Sequence, residues 1–253
     1  MRKEPPPAAD EDVTDFPEQI AFRKKVDPAS GPPPAGLRRY LLEPASSLTH
    51  AAAALAALLG AIWLIYLTWG QPAKMVTMAI YGLSMILLFS ASALLHGVRL
   101  PEHRRMGLNR LDHAAIFLLI AGTYTPIVYN LFPAEWGRPL LVGIWLLSLI
   151  GMAYKLFSRR IHGFFNASVY PLLAWAGVVP AFLAYRVEPF VHRGGLVPLF
   201  LGGLIYMLGF VVYYWHWPDP WPDVFGHHEI WHVLVMAGSA CHFTFMALYV
   251  APA

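Results

Sequence analysis

After a polar start, apolar residues gather into stretches near 48–69, 76–97, 112–132, 139–157, 167–185, 196–216 and 229–250. Crossing a bilayer core of about 30 Å takes about 20 helical residues. Backbone groups in lipid are satisfied only within helices or closed barrels. The pattern therefore predicts an all-α, polytopic membrane protein with seven transmembrane helices in a bundle. The fifth stretch is short and carries Pro171 and Pro180, which neighbouring helices tolerate by satisfying the freed backbone groups.

Composition agrees: 57% of residues are hydrophobic and 13% charged, where a soluble domain carries about a quarter charged. The surplus apolar surface calls for a lipid bilayer. Segments such as PPPAADEDVTDFPEQ and PASGPPPAG have little to bury, so residues 1–38 read as a disordered, Pro-rich tail and 39–253 as the membrane domain. The basic start is not followed by the apolar core of a secretory signal, leaving the first spanning helix to direct insertion. Cys241 is the single cysteine; it permits no intrachain disulfide and is expected to be a small core residue. The net charge of +3 is modest and its basic residues flank apolar stretches, which argues against a nucleic-acid partner.

Those basic residues predict orientation. Arg38 and Arg39 precede the first helix, Arg99, Arg104, Arg105 and Arg110 separate the second from the third, and Lys155, Arg159 and Arg160 separate the fourth from the fifth. The other side holds Lys74, Arg138, Arg186 and Arg193. A multi-pass protein of the cell membrane follows, with its amino terminus cytoplasmic and its carboxyl terminus outside. The acidic join WPDPWPD dissents, but acidic residues carry little weight in this rule.

With that orientation, His96 at the end of the second stretch, Asp112 at the start of the third, and His228 and His232 at the start of the seventh fall at one depth near the cytoplasmic face. Residues four apart share a helix face, so His228 and His232 can address one ion, and Ser92 lies on the face of His96. Three imidazoles leave the fourth position of a tetrahedral zinc ion open to water, as in catalytic sites, and zinc lowers that water's pKa towards 7. Asp112 is placed to orient the water or take its proton, and Ser92 to hydrogen-bond the nucleophile or a developing oxyanion. The plainer alternative is a set of interfacial histidines, with an i,i+4 pair arising by chance among eleven.

Residues 228–232 also spell H-E-x-x-H, in which Glu229 would be the base of a metalloprotease. With His96 as the obvious third donor, Glu229 reads better as a cap carboxylate at the positive end of the helix. His50 is read as interfacial rather than as a neighbour of the ligands, His113 points roughly 100° from Asp112, and His242 lies about 15 Å beyond His232. His216 and His227 flank the acidic join and read as solvated, and Trp215, Trp217 and Trp221 as interfacial anchors. Gly122 and Pro126 indicate close packing or a kink.

The stretches SALLH (Ser92 to His96), RLDHAAIFLLIAGTYTP (Arg110 to Pro126) and HHEIWHVLV (His227 to Val235) together resemble the haemolysin III family, within the progesterone and adipoQ receptor group of seven-helix proteins. EPASSLTH (Glu43 to His50) matches less well, with Ser46 where the family usually shows Asn. The resemblance covers roughly residues 43–250 and implies a seven-helix bundle holding zinc near the cytoplasmic leaflet. It implies His96, His228 and His232 as zinc ligands, Ser92 near the ion, and Asp112 in contact with a zinc-bound water. Related ceramidases hydrolyse lipid amides, other relatives are receptors, and bacterial members carry a haemolysin name.

Three readings result. The favoured one is a zinc-dependent hydrolase of a membrane-lipid amide or ester. The second is a receptor or regulator of membrane or lipid homeostasis with structural zinc. The third is a haemolysin-like pore, which finds no stripe of charges at regular spacing to support it. The lipid and the oligomeric state are not legible.

Overall fold

A computed structural model describes residues 36–158, 163–176, 194–222 and 224–253. The tail reading for residues 1–38 falls almost wholly outside these, as does the second half of the fifth predicted stretch. The described residues contain seven α-helices, numbered here in chain order: α1 Pro44–Leu67, α2 Pro72–Gly97, α3 Glu102–Leu131, α4 Ala134–Phe157, α5 Gly163–Trp175, α6 Leu196–Trp215 and α7 His227–Phe245. A π-helical turn, Met246–Val250, continues α7. All but α5 are long and apolar enough to cross a membrane. The chain is an all-α, polytopic membrane bundle.

All the helices but α6 begin earlier than the apolar stretches. Pro44 and Pro72 occupy first-turn positions, where the missing N–H costs nothing and the fixed φ suits a helix. The apolar pattern sees neither, because first turns are polar. The departure is largest in α3, whose 30 residues span about 45 Å. Its charged first turns therefore extend past an apolar slab about 30 Å thick.

Short joins make sequence neighbours antiparallel neighbours. Between α1 and α2 the chain reverses within Thr68–Gln71, where Gly70 has φ +83°, a conformation that costs glycine nothing. Contacts run α1–α2, α2–α3, α3–α4 and α6–α7; α7 returns to α1, and α5 links α6 to α3. Helices α2 and α3 are the most buried, whereas α4 and α6 present most of their surface outward. The apolar core joins Leu64 of α1, Met78, Tyr81 and Phe89 of α2, Leu119 of α3, and Phe245 and Met246 at the end of α7. Exposed Leu59, Ile62, Leu147, Ile150, Leu204 and Leu208 form the outer apolar face.

Helices approach where side chains are small, as expected when dispersion rather than hydrophobicity drives association in lipid. A Cβ on Gly82 would meet Ala61, one on Gly122 would meet Ser84, and one on Gly238 would meet Tyr206. Gly122 thus marks close packing of α3 on α2, as its sequence context indicates. Lys155 departs from its reading as a loop cation. It lies within α4, is 2% exposed, and holds its Nζ 4.8 Å from the centroid of the Tyr170 ring. The bundle covers the Lys155 side of the last turn of α4, leaving Tyr154 and Phe157 exposed, and α5 brings an aromatic face to the ammonium.

Candidate metal centre

Two helix ends build the histidine triad. His96 sits in the last turn of α2, and His228 and His232 occupy successive turns at the start of α7. The spacing of four stacks the latter pair, with ring centroids 4.5 Å apart. The His96 ring lies 4.9 Å from each of them. One ring nitrogen from each comes within 4.8 Å of the others, so the triad could hold a metal ion. The sequence reading paired residues 132 positions apart, and the fold brings them together.

Chemistry of the donors supports that capacity. Nε2 of His228 and Nε2 of His96 are 3.4 Å apart; two nitrogens each 2.0–2.1 Å from one tetrahedral ion would be separated by about the same distance. His232 is 1% exposed, and neither ring nitrogen finds a hydrogen-bond partner among the described residues. An orphaned buried polar group costs about 1–3 kcal/mol. A cation accepting the imidazole lone pair satisfies one of the two nitrogens, and the site fits a metal.

Asp112, on α3, is 7% exposed and has Ser92 and His96 as polar neighbours. The fold therefore gathers all five candidate residues, His96, His228, His232, Asp112 and Ser92, at one end of the bundle. Ser92 and Asp112 also line a partly open cavity of about 230 Å³. Every helix contributes to its wall, from His50 and Leu88 through Ile116, Leu140, Tyr170 and Phe200 to Val235. Lining residues on α3 run from Asp112 to Val128, about 24 Å of helix. The cavity has a polar end beside the histidines and an aliphatic and aromatic length beyond them.

Residues set aside from the site behave unequally. Nδ1 of His113 meets Tyr170 Oη at 3.3 Å, away from the triad. Nε2 of His242 meets the Leu199 carbonyl at 3.2 Å. Glu229 accepts the Gly226 N–H at 2.9 Å, the reciprocal half of a capping box, and its other oxygen accepts the Ser46 hydroxyl at 2.9 Å. It is a cap, as read. His50 is not the interfacial residue expected: it is buried and its ring stacks on His232, centroids 3.9 Å apart and 15° from parallel. Glu43 drew no attention in sequence, yet its carboxylate meets Nδ1 of His96. The signal was the spacing of Glu43, Ser46 and His50, which puts all three on one face of α1.

A family model described as "Haemolysin-III related" matches residues 39–243. The chain is 32% identical over 209 residues to "Hemolysin-3 homolog" of Bacillus subtilis (strain 168), covering 82% of this chain and 93% of that protein. It is 33% identical over 217 residues to "Hemolysin-3" of Bacillus cereus, covering 83% and 92%. A shorter match, 30% over 158 residues, reaches "Adiponectin receptor protein" of Drosophila melanogaster, covering 56% of this chain and 35% of that one. The family match takes in every residue of the histidine site, and the bacterial relatives align over nearly their whole length: the chain belongs to the haemolysin-III related family.

Proposed function

We propose that the chain is an integral membrane hydrolase that holds zinc in the His96–His228–His232 triad and cleaves an amide or ester bond of a membrane lipid. One observation carries this reading: Ser92 and Asp112, beside the triad, stand at one end of a largely apolar cavity walled by the helices. Imidazole-rich tetrahedral donor sets favour zinc, which acidifies water and polarises a carbonyl when bound. The chain's own groups do the rest. Asp112 takes a proton at its carboxylate and returns it to the leaving amine or alcohol. Ser92 hydrogen-bonds that carboxylate or the developing oxyanion. Leu88, Ile116 and Ile127 along the cavity hold an acyl tail and keep water from the reacting end. The site faces the cytoplasmic leaflet, and the lipid arrives laterally. The same apolar wall offers nothing to a hydrated ion, which speaks against a pore.

A second reading, a receptor with a structural ion, draws on the name of the Drosophila relative. Purified Asp112→Asn separates the two. On the hydrolase reading it retains zinc and thermal stability but loses at least about 100-fold in fatty-acid release from a panel of lipid amides and esters. Stoichiometric zinc without fatty-acid release by the wild type overturns catalysis, and loss of stability in the variant favours the structural ion.

A further inference from the structure

The first turn of α1 supplies no candidate ligand, yet it wraps the histidine cluster. The backbone N–H of Glu43 donates to the carbonyl of His96 at 2.9 Å, and that of Leu42 to the carbonyl of Gly97 at 3.2 Å. Glu43 stands at the cap position of α1 but makes no side-chain cap hydrogen bond there; its carboxylate reaches His96 Nδ1. One turn on, Ser46 binds Glu229 of α7, and another turn on, His50 stacks on His232.

From this arrangement we propose that Glu43 is a positioning residue of the metal centre, fixing the tautomer and ring orientation of His96; the proposal rests on the metal reading above. A neutral imidazole carries one N–H and one lone pair. With Nδ1–H donating to Glu43, the lone pair stays on Nε2, which faces Nε2 of His228 at 3.4 Å. Without the carboxylate, both tautomers and both flips of the ring become available, and only some present Nε2 to the ion. The negative charge also makes the ligand nitrogen more basic. Partners of this kind are worth roughly 10–100-fold in metal affinity. The carboxylate is held in place by its own backbone hydrogen bond to His96, so the contact is built rather than incidental. Arg105 also lies within electrostatic reach of Glu43; a carboxylate serving only that cation would leave metal binding untouched.

The test is zinc affinity of the purified full chain, measured by competition with a chromophoric chelator, alongside thermal unfolding of the metal-free proteins. Glu43→Ala is expected to bind zinc roughly 10–100-fold more weakly while its metal-free form melts with the wild type. Glu43→Gln keeps an oxygen that accepts Nδ1–H but lacks the charge, and is expected to lie between them. Wild-type affinity in Glu43→Ala overturns the proposal. So does a loss that Glu43→Gln repeats in full together with a lower metal-free melting temperature, the signature of a mere latch. Should Glu43→Ala not fold, weakened binding by Glu43→Gln supports the assignment and wild-type binding by it overturns it. Wild-type protein that takes up no zinc overturns the metal reading itself, and is seen before any variant is made.

Discussion

The cost carried by His232 gives the metal reading a signature independent of catalysis. Its imidazole is buried and neither nitrogen has a hydrogen-bond partner among the described residues, so a metal-free bundle bears a penalty that leucine in the same space would not. His232→Leu is therefore expected to stabilise the metal-free protein by about 1–3 kcal/mol while abolishing the rise in melting temperature that zinc gives the wild type through selective binding to the folded state. A thermal series with and without zinc checks both halves; a variant less stable than metal-free wild type contradicts the orphaned imidazole. Packing makes an equally local prediction. A side chain on Gly122 collides with Ser84, whereas Gly143 faces open space. Gly122→Leu is expected to cost about 1–3 kcal/mol by overpacking, and Gly143→Ala to be neutral or slightly stabilising, as read from chemical unfolding in detergent.

Individual helices show what periodicity and spacing can carry. Apolar length located every described helix, and the i,i+4 rule aligned His228 with His232 on α7. What that reasoning missed lies in first and last turns, where polarity is compatible with both water and a buried network. Glu43 and His50 look like ordinary interfacial residues until α7 packs against α1, and Lys155 looks like a loop cation until α5 covers it. Tertiary neighbours assign those roles, and no local pattern encodes them. Glu229 is the opposite case. Its position three residues into α7 marks it as a cap in sequence, and its bonds to Gly226 and Ser46 occupy both carboxylate oxygens. Glu229→Gln, whose amide oxygen still accepts the Gly226 N–H while its NH2 donates to a rotated Ser46 hydroxyl, is expected to keep zinc binding and fatty-acid release within a few-fold of wild type, where a general base would lose about 100-fold or more; zinc titration and product quantification decide.

Across the whole bundle, the charge pattern and the site constrain each other. Removing buried Lys155 from the loop count leaves Arg38, Arg39, Arg99, Arg104, Arg105 and Arg110 at the end that holds the histidine triad, against Lys74 and Arg138 at the other among the described residues. The imbalance survives the correction, because it never depended on the fourth helix. Arg110 adds a structural reason for its end, donating to the carbonyl of Leu156 at 3.2 Å, where a cation meets the negative end of α4. Basic residues near span ends stay on the cytoplasmic side, so the triad and the polar mouth of the cavity are expected to face the inner leaflet. Single cysteines placed at Arg39 and at Ala253 in a Cys241→Ala background test this in intact cells. A membrane-impermeant thiol reagent should label the cysteine at 253 directly and the one at 39 only after permeabilisation. The reverse labelling would put the histidines beneath the outer leaflet, and any lipid reaching Asp112 would then have to come from that side.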